Sequence, residues 1–228
     1  MALQAPVAAV AAVGLAAMLA LSGCSAVVGG RAVRASGQSG GTPPTTVKRP
    51  PSHAPDLLLQ SGNDTPFGAA IAAPVGDTYF TSARPPDCSA ALLFKGSPLR
   101  PAGASDHAES AYQFGGSALY AESVDLYDNA LDPHHEVVSG FIAVAQCRHD
   151  AVGISPAGEA IPMRLSNFAT PSEGVLVWTM TQPAWTCDYG LAVLAHVALL
   201  LSACNDVPGF PMADWAAKRR AQVDGRTA

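Results

Sequence analysis

No two cysteines in this chain stand close enough to make a C-x-x-C pair; its five cysteines are Cys24, Cys88, Cys147, Cys187 and Cys204. Structural zinc sites draw on closely spaced Cys or His pairs, so this spacing excludes one. Charge is scarce at 14% of residues, with Lys+Arg 13 against Asp+Glu 18 and a net charge of −5. A mildly acidic chain lacks the basic field that nucleic acid requires, and no polybasic run marks a membrane-surface patch. Catalytic signatures are missing too. The nearest stretch to a G-x-S-x-G elbow, Gly153-Ile154-Ser155-Pro156, has proline where the turn into a helix wants a free N–H, and reads as a loop. Gly29-Gly30 and Gly40-Gly41 lie in low-complexity sequence, and Gly115-Gly116 reads as a turn before a strand, so no glycine loop is set to cradle a phosphate. These absences point to no enzyme, no metal and no cofactor.

One long apolar run is present, from Val7 to Leu21, broken only by Gly14 and preceded by no Lys or Arg. At roughly 1.5 Å per residue it spans about 22 Å, short of the ~30 Å hydrocarbon core of a bilayer. Leu21-Ser22-Gly23-Cys24 follows directly, with small residues before a cysteine as in the bacterial lipobox. A short apolar run ending in small residues reads as a cleaved export signal. Residues 1–23 are therefore expected to be removed and Cys24 to carry a lipid that anchors the protein on the outer side of the cell membrane. No second span is expected, because the apolar stretch Leu191 to Leu201 is short and contains His196.

Residues 24–55 are dominated by Gly, Ser, Thr and Pro without apolar periodicity, and read as a flexible tether. Residues 56–228 then hold enough chain for one domain with a real core. Thr65-Pro66 resembles the N-cap and first residue of a short helix carrying Phe67, Ala70 and Ile71 on one face. Pro85-Pro86-Asp87 introduces a short helical segment through Cys88 and Leu92, and Leu119 to Tyr127 reads as a strand. Asp132-Pro133 opens the clearest helix, with Val137, Val138, Phe141, Ile142 and Ala145 as its apolar face. Ile161, Met163 and Leu165 alternate in a strand that Pro162 suggests is an edge. Leu176, Trp178 and Met180 alternate in the next. Pro211 to Val223 reads as a closing helix, with Met212, Trp215, Ala216 and Val223 inward and Lys218, Arg219 and Arg220 favourably near its C-terminus.

With Cys24 set aside, Cys88, Cys147, Cys187 and Cys204 form an even set in an exported chain and predict two disulfides, with three possible connectivities. The Ala- and Leu-rich segment between Cys187 and Cys204 favours helix by propensity. As a helix, however, it would hold those cysteines about 25 Å apart, whereas a disulfide tolerates roughly 7 Å between Cα atoms. If they pair, the segment is a β-hairpin turning near Ala195-His196, and that is the expectation.

A lipobox, a Thr/Pro/Gly tether, then LLLQSG, PPDCSAALLF, a central helix ending in Cys147 and a final cysteine hairpin with a closing helix together resemble the PknH-like extracellular sensor domain. Mycobacteria carry that domain outside a receptor Ser/Thr kinase and in free-standing lipoproteins. The resemblance covers Leu57 to Val223, and the order and spacing of the four cysteines carry most of it. It implies an α+β fold with a largely antiparallel sheet, packed helices and a ligand-sized cleft. It also implies sequential pairing, Cys88 with Cys147 and Cys187 with Cys204.

Other candidate residues are weaker. His134-His135-Glu136 beside Asp132 sits at a helix start, where adjacent histidines point about 100° apart and cannot comfortably share one ion. It reads as a solvated first turn. His149 and His196 are isolated. Glu122 and Asp125 fall on opposite faces of the predicted strand. Among Tyr112, Tyr120, Tyr127, Trp178 and Trp185, most are expected in the core, and Tyr120 and Trp178 are the candidates to line a cleft. The leading functional expectation is a non-enzymatic, sensor-like module that binds a small ligand at the cell envelope. The alternatives are a structural lipoprotein that binds a protein partner, and an apolar-ligand (lipid) carrier.

Overall fold

The computed structural model describes residues 53–74, 79–148 and 150–227. The expected signal, Cys24, nearly all of the expected tether and His149 lie outside the described residues. A short helix α1 (Ala54–Leu57) opens the described chain and leads into a ribbon of β1 (Asp64–Thr65) and β2 (Gly68–Ala69). Next come β3 (Ile71–Ala73), β4 (Ser82–Arg84), a 3-10 turn at Pro86–Cys88 and α2 (Ser89–Leu92). The hairpin β5 (Asp106–Gln113) and β6 (Leu119–Leu126) precedes α3 (Pro133–Ala145). A meander of β7 (Ala151–Ile154), β8 (Ala160–Ser172), β9 (Val175–Gln182), β10 (Trp185–Val193) and β11 (Val197–Asn205) ends in α4 (Met212–Thr227).

Among the described residues, nine strands form one sheet in the order β3-β5-β6-β11-β10-β9-β8-β7-β4, and every pairing is antiparallel. Consecutive hairpins build most of it; β11 closes it by returning to pair with β6. The α+β expectation holds. Helices cover both faces, so the middle strands are buried on both sides and read as nearly continuous apolar runs. Val175, Val177, Leu199 and Leu201 face α1 and α4, whereas Leu176, Trp178, Met180 and Leu200 face α2 and α3.

Both disulfides form in the sequential pairing. Cys88 joins Cys147 and thereby ties α2 to the end of α3, while Cys187 and Cys204 are directly opposed across β10 and β11. The hairpin expectation was right. Two covered faces bury the leucines of Leu191 to Leu201 whichever way they point, and that outweighs helix propensity.

Several local expectations are corrected. Thr65-Pro66 opens a tight turn, not a helix: Thr65 Oγ1 donates to Gly68 O at 2.8 Å and accepts from Phe67 N at 3.1 Å, and Gly68 takes φ 113°. On α3 the buried stripe is Val137, Gly140 and Val144, while Val138 and Ile142 are 42% and 56% exposed. Gly140 sets this rotation, because a Cβ there would sit 3.2 Å from methyls of Leu176 and Leu191. β8 is an interior strand, although Pro162 lies in the part that pairs with β7 alone. Finally, α4 runs on to Thr227, so Arg219 is mid-helix, and it is buried.

That buried arginine faces Glu122 on β6. Arg219 Nε and Nη2 each donate to the Glu122 carboxylate at 3.0 Å, and Nη2 also donates to Leu57 O at 2.9 Å. Glu122 further accepts from the Tyr120 hydroxyl at 2.8 Å and from Leu59 N, and the Tyr112 hydroxyl donates to Leu59 O. One fully hydrogen-bonded charge pair thus fastens the start of the domain to the sheet and to the last helix.

Candidate functional site

Among the described residues, a cavity of about 310 Å³ opens on the α2/α3 side of the sheet. Strand alternation builds its floor. Trp185, Cys187 and Tyr189 occupy alternate positions of β10, and Cys204 lies across from Cys187. Tyr79, Phe80 and Leu92 line it together with Ser155, Pro156 and Ile161 from the β7–β8 hairpin. Gln182 and Ala184 close the end at the β9–β10 turn.

This floor is rigid. Tyr189 stacks on Trp178 with ring centroids 5.3 Å apart and planes 6° from parallel, and its hydroxyl donates to Leu92 O at 3.2 Å. Trp178 Nε1–H donates to Ala91 O at 2.9 Å. Burial pushes the Tyr189 phenol above its usual range, and the neighbouring Tyr79 adds to the shift, so the ring presents a neutral surface. Phe80 rests directly on Gly153, where a Cβ would come within 2.4 Å of its ring. Ser155 Oγ accepts from Glu159 N at 3.1 Å. Among the described lining residues none is charged.

Tyr120 and Trp178, the residues expected to line a cleft, are both 1% exposed and lie in the two opposite halves of the core. Trp178 braces the cavity from the neighbouring strand through its stacking on Tyr189; Tyr120 belongs to the Glu122–Arg219 cluster. Both are buried because each face of the sheet is covered at their positions. Of the five aromatics considered, Trp185 reaches the cavity. Tyr189 was legible from its period-2 spacing with Trp185 and Cys187 in the expected hairpin. Tyr79 and Phe80 carried no periodic signal.

A polar cluster occupies the other end of the same face. Arg100 donates to Asp125 through Nε at 2.9 Å and Nη2 at 2.5 Å, with Asp125 almost fully buried. His107 bridges Asp125 at 2.9 Å and Glu109 at 3.1 Å. Glu122 and Asp125 therefore do face opposite sides of β6, each beside its own arginine. Asp132 caps α3 by accepting from the His134 and His135 amides, and His196 Nδ1 lies 3.0 Å from Tyr127 O. Among the described residues no group of three or more His, Cys, Asp or Glu is arranged to hold a metal ion.

Comparison with known proteins places the chain. Relatives from Mycobacterium tuberculosis and Mycobacterium bovis, both called "Putative lipoprotein LprH", are 61% identical over 209 residues, covering 92% of this chain and 90% of each relative. The chain belongs to the LprH lipoprotein family. No family model matches it. The LprH-type fold is also that of the crystal structure of the extracellular domain of PknH from Mycobacterium tuberculosis, with a TM-score of 0.61 over 75% of this chain and 95% of that one. At 18% identity this likeness shows the fold alone. Among the described residues no helix is long and apolar enough to cross a membrane.

Proposed function

We propose that this LprH-family protein is anchored to the outer side of the cell membrane by a lipid on Cys24, and that its domain binds a small ligand without transforming it. The cavity carries the second half of this reading. It has the volume and the largely aromatic, apolar lining of small-molecule sites, which start at roughly 300 Å³, and a disulfide braces its floor. Residues 1–23 act as the export signal and 24–55 as the tether that holds the domain, 56–228, off the membrane.

Native mass spectrometry of the protein purified from its own envelope tests the binding. A reproducible added mass that vanishes on denaturation is expected. A clean apo mass would move the reading to a protein partner, for which Val138 and Ile142, exposed one turn apart on α3, are the apolar contact points. Anchoring is tested separately: Cys24→Ala should move the protein from the membrane fraction to the soluble one.

A further inference from the structure

The lining of the cavity restricts what can enter it. An engineered cavity of about 150 Å³ lined by Leu, Ile and Phe holds one benzene. At about 310 Å³ this one has room for a ligand of roughly twice that volume. Four of its lining side chains are aromatic, Trp185, Tyr189, Phe80 and Tyr79, and aromatic rings pair favourably with planar aromatic ligands. No described lining residue carries a charge, so an ionised group taken inside would lose its hydration and find no partner, at a cost of several kcal/mol.

Besides the two tyrosines, the polar side chains of the lining are Gln182 and Ser155. The Gln182 side chain, at the β9–β10 turn beside Trp185, has no hydrogen-bond partner among the described residues and offers both a donor and an acceptor. Ser155 Oγ accepts from Glu159 N, which leaves its own O–H to donate.

Resting on the proposal that this cavity is a binding site, we infer that its ligand is an uncharged, planar molecule of two fused rings with one hydroxyl- or amide-like polar edge directed at Gln182. Long acyl chains and sugars are poor fits, the first by volume and the second because the walls offer few hydrogen-bonding groups.

Equilibrium dialysis of the purified, disulfide-intact protein against 2-naphthol, naphthalene, 2-naphthoate and palmitate tests this. 2-Naphthol should bind saturably at one site, with 2-naphthoate and palmitate each at least about tenfold weaker. Gln182→Leu should weaken 2-naphthol by about 3- to 10-fold and leave naphthalene unchanged, because one hydrogen bond is lost and the ring contacts remain. Equal or tighter binding of 2-naphthoate, or a Gln182→Leu variant that keeps the wild-type ratio of naphthol to naphthalene affinity, overturns the ligand class. If none of the four binds while native mass spectrometry detects an added mass, the class is wrong and the cavity remains a binding site. If the native mass is also clean, both readings fail together.

Discussion

Replacing Arg219 with Met isolates the charge pair that holds the domain together. Glu122 is 0% exposed and Arg219 1%, so neither group can recover hydration if the other is removed. Met fills most of the volume of the arginine stem but leaves the Glu122 carboxylate with only the Leu59 amide and the Tyr120 hydroxyl. It also removes the donor to Leu57 O. Breaking a buried ion pair from one side costs about 3–5 kcal/mol. With a urea m-value of about 2 kcal/mol/M, the unfolding midpoint should fall by about 2 M. The assay is urea unfolding followed by far-ultraviolet circular dichroism with both disulfides intact. The double variant Glu122→Gln/Arg219→Met should recover at least about 1 kcal/mol of the loss, because its buried carboxylate is gone. A single-variant loss below about 1 kcal/mol, the value of an exposed pair, would refute the reasoning and mean that water reaches this cluster.

Paired Cys→Ala changes should destabilise according to loop length: about 4 kcal/mol for Cys88–Cys147, which closes 59 positions, and about 3 kcal/mol for Cys187–Cys204, which closes 17; the reverse order in chemical denaturation would rule out chain entropy as the main term. Burial raises the Asp188 carboxyl above its ordinary value, opposed in part by the Thr179 hydroxyl, which donates to it at 2.6 Å. An acid with a raised folded pKa holds its proton longer in the folded chain, so stability falls as pH rises from about 4 through the raised value. Asp188→Asn should flatten that fall, and parallel stability–pH curves for variant and wild type would contradict the assignment. Gly153→Ala forces the Phe80 ring off its seat, since the new Cβ would lie 2.4 Å from it. Losing one aromatic contact is worth about 0.5–1.5 kcal/mol, so 2-naphthol affinity should drop about 2- to 10-fold in dialysis; unchanged affinity would show that Phe80 does not line the site.

Several features were readable because one covalent or periodic constraint dominated them. The short reach of a disulfide turns an Ala/Leu-rich, helix-favouring segment into the β10–β11 hairpin. Asp132-Pro133 starts α3 because a capping carboxylate and a prolyl φ need no tertiary help. Other features were misread where two signals competed. Val138 and Ile142 fit an apolar stripe as well as Gly140 does not, yet the helix turns its glycine to the sheet because only there can the backbone approach Leu176 and Leu191. Arg219 sits in helical register with Met212, Trp215, Ala216 and Val223, so its inward position could have been read from spacing; its charge argued the other way until Glu122 appeared opposite.

The apolar run before Cys24, the cysteine count and strand alternation are local patterns, and the expectations drawn from them rest on the sequence alone. The cavity is different in kind. Trp185, Cys187 and Tyr189 are brought to one face by the two-residue period of a single strand, but Tyr79, Phe80, Leu92 and Ser155 come from separate segments. Only the tertiary structure decided that they meet, because their positions follow from sheet order and helix packing. Burial of Tyr120 and Trp178 was decided the same way: a strand side chain points to one face or the other by its own sequence, but whether that face meets water depends on the helices laid over it.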